Sequence, residues 1–139
     1  MNEYMFSDIK IGLEASFDVT IDSSKMSMFL EICNDTNPLH ICGEYARSKG
    51  FSEKVVHGLL TSSFYSTLVG VHLPGKYCVL HGIDIKFIQP VYIQDKLAVS
   101  GKVKYINEAY RQIEIRALIV NQHGKKVSTA TIRVGVKDE

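Results

Sequence analysis

An α+β domain, in which an antiparallel sheet of about five strands wraps around one long helix, is the fold this sequence predicts. Two observations carry it. From residue 77 onward apolar and polar residues alternate, most clearly in Gln112-Ile113-Glu114-Ile115-Arg116 and Thr129-Ala130-Thr131-Ile132-Arg133-Val134. This two-residue period belongs to strands with one buried face. The segment 56–73 is instead apolar on most of a helical circumference, through Leu59, Leu60, Phe64, Leu68, Val69 and Val71, so the helix is expected to be buried nearly all round.

The elements follow in order. Residues 15–21 form the first expected strand. Helical spacing then begins with Met26, Phe29, Leu30 and Cys33, and Ser23 or Ser24 can cap that helix. The long buried helix covers 57–72. The remaining strands are expected at 77–88, 96–106, 111–121 and 125–136. Pro90 punctuates the connection 89–95, Asn107 to Tyr110 can close a hairpin, and Asn121-Gln122-His123-Gly124 offers residues that tolerate positive φ.

A chain of 139 residues without repeats or linker-like runs is read as a single domain over 1–139. Its 45% hydrophobic and 22% charged content is that of an ordinary globular protein, which argues against disorder and a membrane class. The net charge of +1 supplies no broad basic face, so nucleic acid is not an expected partner. An acidic-residue-bearing N-terminus without a long apolar run is unlike a signal peptide, and a cytoplasmic location is expected. Cys33, Cys42 and Cys78, an odd set without a CxxC pair, read as free thiols. Cys33, His40 and Cys42 lack the fourth ligand that structural zinc requires, so no metal is expected.

The chemistry concentrates in Asn34-Asp35-Thr36-Asn37-Pro38-Leu39-His40. Pro38 disfavours helix at Asn37, which itself favours a local side-chain turn, so the segment reads as a rigid loop between helices. A carboxylate and an imidazole aimed at one point can share a water, deprotonate it and return a proton elsewhere. Helix-to-turn punctuation accounts for the same residues without chemistry. Val56-His57-Gly58 likewise has two readings. Gly58 allows close packing at a helix start, or its free N–H holds a carbonyl oxygen that becomes an oxyanion.

Taken together, these segments resemble the MaoC-like family of (R)-specific enoyl-CoA hydratases. The family signature is matched by Asp35, Asn37, Pro38, Leu39, His40 and Ala46. Further matches are Val56-His57-Gly58-Leu59-Leu60, Leu73-Pro74-Gly75-Lys76 and Ile85-Lys86-Phe87-Ile88-Gln89-Pro90-Val91, so the resemblance covers nearly the whole chain. Two departures stand out. Cys33-Asn34 replaces the usual Gly before the Asp, and Cys42 occupies a position where relatives often carry Asp. Asn34 also tolerates positive φ, which preserves the turn.

The resemblance implies a hot-dog fold, a homodimer with an acyl tunnel near the subunit interface, and reversible syn hydration of trans-2-enoyl-CoA to (R)-3-hydroxyacyl-CoA. Asp35 and His40 are the implied catalytic pair, in either order of proton transfer, and the Gly58 amide polarises the thioester carbonyl. Asn37, His57 and Ser66 are supporting residues, with Asn37 fixing the loop and Ser66 reaching it or Asp35. No cofactor is implied, and CoA or an acyl-carrier arm is a substrate handle. The alternatives are a hot-dog acyl-thioester hydrolase and a noncatalytic acyl-thioester binding protein, which needs neither Asp35 nor His40.

Overall fold

The computed structural model describes residues 1–139. Its five strands are β1 (Glu14–Thr20), β2 (Cys78–Phe87), β3 (Lys96–Asn107), β4 (Gln112–Val120) and β5 (Lys126–Val136). They form one sheet in the order β1-β3-β4-β5-β2, antiparallel throughout. Each expected strand is present within a residue of its expected ends. Inward positions of the central strands, including Val99, Val103, Ile113, Ile115, Ile119 and Ile132, are fully buried. The outward row Glu14, Lys102, Arg116, Thr131 and Asp84 runs across all five strands and meets water. This division between an apolar face and a wetted face generates the alternation in the sequence.

Four α-helices precede β2: α1 (Ser23–Cys33), α2 (Pro38–Ile41), α3 (Gly43–Ser48) and α4 (Gly58–Thr67). Asp22 rather than Ser23 or Ser24 caps α1, because its extended backbone lets Oδ1 accept from the Lys25 N–H at 2.8 Å. Asn34 ends α1 in the left-handed region at φ 55°. The expected long helix is α-helical only to Thr67 and then widens into a π-helical stretch, Leu68–His72.

That helix lies in the concave side of the sheet. Its buried face presents Leu60, Tyr65, Leu68 and Val69 to the strands. Gly101 on β3 permits the close approach, since a Cβ there would fall 2.8 Å from both Leu68 Cδ2 and Ile115 Cγ2. The expectation of burial all round is corrected: Leu59 is 67% exposed, and Ser63 and Ser66 are exposed with it. A single sheet covers one side of a helix, and Leu59, Ser63 and Ser66 lie on the side turned to solvent.

Tyr65 and Ser128 lock α4 to β5 through a buried 2.7 Å hydrogen bond between their hydroxyls. Burial pushes the Tyr65 phenol up to about 12, while its bond with Ser128 partly offsets the rise. An acid whose folded pKa exceeds its unfolded value stabilises the fold below the unfolded value, and that contribution disappears as pH rises through the folded one. Stability should therefore decline between about pH 10 and 12. Ser128→Ala, which strands the phenol, should lower unfolding free energy by about 1–3 kcal/mol in urea titrations. Ser128→Ala with Tyr65→Phe should recover much of that loss, because neither partner then remains unsatisfied.

Candidate active site

The N-terminal end of α4 is anchored from both directions. The Val56 N–H donates to the Val91 carbonyl at 2.8 Å, and the His57 carbonyl accepts from the N–H groups of Leu60 and Thr61. The first N–H groups of an α-helix have no intrahelical acceptor. The Gly58 N–H finds none elsewhere in the chain either. The Gly58 carbonyl, by contrast, accepts from the hydroxyls of Thr61 and Ser62, each at 2.8 Å.

Facing this turn is the loop between α1 and α2. Asn37 caps α2, its Oδ1 accepting from the Leu39 N–H at 2.9 Å, while its own N–H donates to Asp35 Oδ1 at 3.1 Å. These two bonds tie Asn37 to Asp35 on one side and Leu39 on the other. The other carboxylate oxygen of Asp35, Oδ2, lies 3.6 Å from His40 Nε2. The expected pair is thus brought together, at a separation suited to sharing one water.

Two backbone carbonyls fix the imidazole protons. His40 Nδ1 lies 2.6 Å from the Val55 carbonyl oxygen and His57 Nε2 lies 3.1 Å from that of Asp35. A carbonyl oxygen only accepts, so each of these nitrogens carries the hydrogen. His40 consequently turns Nε2 toward the Asp35 carboxylate. The two imidazoles are stacked, with centroids 3.9 Å apart and planes 25° from parallel, and Phe29 packs against His57 at 5.1 Å. His57 is 2% exposed, and its Nδ1 is buried without a partner.

The groups line one cavity of about 560 Å³. Asp35, His40, His57 and Gly58 form a polar patch in walls otherwise made by Phe29, Phe51, Val56, Leu59, Phe87 and Val127 among others. Such an apolar pocket with a few convergent polar groups suits a ligand with a long apolar part and one reactive polar end. Phe87, 57% exposed, rests over Gly58, where an added Cβ would fall 2.8 Å from its Cε1.

Asp35, His40 and His57 also offer ligand atoms within 4.8 Å of one another. Neither Cys33 nor Cys42 belongs to that group; Cys42 Sγ accepts from the Tyr45 N–H at 3.4 Å instead. Stacked imidazoles aim their in-plane lone pairs side by side rather than at one point, and each ring already commits a nitrogen to a carbonyl. The set therefore fits a tetrahedral ion poorly.

A model of the family described as MaoC like domain matches residues 7–133. The chain belongs to this family. An (R)-specific enoyl-CoA hydratase of Rhodospirillum rubrum is 35% identical to this MaoC-like chain over 100 residues, 72% of this chain and 69% of the relative. A 3-hydroxybutyryl-CoA dehydratase of Methylorubrum extorquens is 34% identical over 98 residues, 70% of this chain and 62% of the relative. The solved (R)-hydratase from A. caviae superposes with a TM-score of 0.87 at 26% identity, covering 92% of this chain and 97% of that one. The sheet wrapped on one helix is the hot-dog fold of these relatives.

The structure does not bring every expected residue to the site. Ser66 is exposed, absent from the cavity lining, and eight residues beyond Gly58, about 12 Å along the helix. It reaches neither Asn37 nor Asp35 within the protomer. The carbonyl of Val55, which orients His40, went unforeseen because a main-chain acceptor leaves no signature in residue type. Phe29 was legible only as a core position of α1, and Phe51 carried no signal.

Proposed function

We propose that this MaoC-like protein is an enzyme that reversibly hydrates trans-2-enoyl thioesters to (R)-3-hydroxyacyl thioesters, on CoA or an acyl-carrier arm. The observation carrying this reading is Asp35 Oδ2 opposed to His40 Nε2 across 3.6 Å, within an apolar cavity that also presents the free Gly58 N–H. The thioester carbonyl accepts from the Gly58 N–H, which stabilises the enolate oxygen formed when C3 is attacked. A water between Asp35 and His40 loses a proton as its oxygen bonds to C3, and a proton is returned to C2 on the same face. Water is consumed whole and no redox step occurs. Asn37 and His57 support the pair; Ser66 has no part in this mechanism within one protomer.

The carboxylate and imidazole suffice for this proton traffic, so we read the reaction as independent of metal or other cofactor. Turnover is expected to survive exhaustive chelation. Loss on chelation with recovery on adding back one metal would overturn that reading.

A homodimer is part of the same proposal. Strand β2 ends the sheet and exposes Val79, Leu80 and Phe87 along it, with Ile88 just beyond and Leu59 on the uncovered side of α4. Unpaired apolar edges of this kind favour pairing with a second strand, and a two-fold related copy supplies an identical one. Sedimentation of the active protein at micromolar concentration should give about twice the 15.6 kDa chain mass; an active monomer would refute the interface. No helix is long and apolar enough to cross a membrane, and the three free cysteines support a reducing, cytoplasmic compartment.

Asp35→Asn and His40→Gln preserve shape but remove groups able to exchange a proton. Each should lower kcat for enoyl-CoA hydration by about a hundred- to ten-thousandfold, with little change in KM. Because both act on one water, the double variant should be scarcely slower than either single one. Loss of enoyl absorbance reads the reaction directly. Near-normal turnover by either variant would sink the assignment, and thioester cleavage without hydration would make the protein a hydrolase.

A further inference from the structure

Asn34, Asp35, Thr36 and Asn37 are all exposed, yet they carry the carboxylate whose position the reaction requires. Their bonds are almost entirely local. Asn34 donates to Leu30, the Asn37 carbonyl accepts from His40, and Asp35 and Asn37 bond within their own segment. From outside residues 30–42, one hydrogen bond reaches these four residues. It is the bond from His57 Nε2 to the Asp35 carbonyl at 3.1 Å.

The same ring stacks on His40 at 3.9 Å. His57 itself cannot wander, because it is 2% exposed, precedes α4 directly, and is packed by Phe29. One immobile ring therefore contacts both members of the pair, the first by a hydrogen bond to its backbone and the second by its face. Its remaining nitrogen, Nδ1, is buried with no partner. Packing alone would be served without that unsatisfied atom by an apolar ring, so the donor on Nε2 is the feature that distinguishes histidine here.

We infer that His57 is a positioning residue that sets the separation of Asp35 from His40, through the Nε2–H tether to the Asp35 carbonyl. It exchanges no proton with substrate. The inference rests on the hydratase reading for its catalytic consequence, but the tether itself does not.

Two replacements separate donor from ring. His57→Phe keeps an aromatic face against His40 and loses the donor; His57→Gln places an amide N–H near the Nε2 position and loses the face. Misplacement of reacting groups by about 1 Å can cost about a hundredfold, so His57→Phe should lower kcat by that order with KM little changed, and His57→Gln should return it to within about tenfold of wild type. Backbone NMR order parameters of Asp35 to Asn37 should fall from about 0.85 to below about 0.6 in the Phe variant and remain high in the Gln variant. Phe turnover within about threefold of wild type, or a Gln variant as slow as the Phe variant, would overturn the inference. Should the Phe variant fail to fold, imidazole nitrogen NMR of the wild type decides: a proton on Nε2 with Nδ1 bare supports the tether, and a proton on Nδ1 removes it. If wild type hydrates no enoyl thioester, the hydratase reading fails, and the order parameters alone then uphold or overturn the tether.

Discussion

The first turn of α4 is the datum from which the site is measured. A concave sheet closes on one side of this helix, with Gly101 yielding room for Leu68 and Ser128 holding Tyr65. At the other end the Val56 N–H is fastened to Val91. A helix held at both ends cannot slide, and the free amide of Gly58 is fixed in the wall of the cavity. The loop that carries Asp35, which has almost no core of its own, is then placed relative to that turn.

Main-chain carbonyls do much of the electrostatic work. Val55 and Asp35 each accept from one imidazole and thereby settle which nitrogen of His40 and His57 bears hydrogen. His40 Nε2 faces the carboxylate because the opposite side of the ring is occupied by the Val55 carbonyl. Thr61 and Ser62 direct their hydroxyls to the Gly58 carbonyl, so they leave the neighbouring amide free. The cavity wall consequently holds a bare donor, an imidazole nitrogen and a carboxylate amid hydrocarbon.

The sheet was legible because its two faces meet different media. Ile113 and Ile115 are buried while Arg116 meets water, and such contrast is written in residue type. The helix was harder to read, since apolar residues all round announce burial without saying what covers them, and Leu59 is uncovered in the protomer. Asp22, Ser23 and Ser24 are all competent caps, and only the backbone angles at Asp22 decide among them. Asp35, Asn37, His40 and Gly58 were found through a spacing motif whose elements the fold does bring together. Ser66 failed because spacing along a helix specifies neither its rotation nor which element lies opposite. Val55 and Asp35 act through carbonyls common to every residue, and the contacts of His57 with both Asp35 and His40 arise only in three dimensions.

The exposure of residues 34–37 has a consequence for how such a protein changes over generations. Asp35 and its neighbours in the loop bury little, whereas the strands and α4 supply the core that keeps the chain folded. Substitution in a solvated loop generally perturbs stability far less than substitution in a core. Turnover can thus be lost or redirected by one change while the folded body and its apolar cavity persist. A lineage descending from this chain can therefore alter its chemistry far more readily than its backbone architecture.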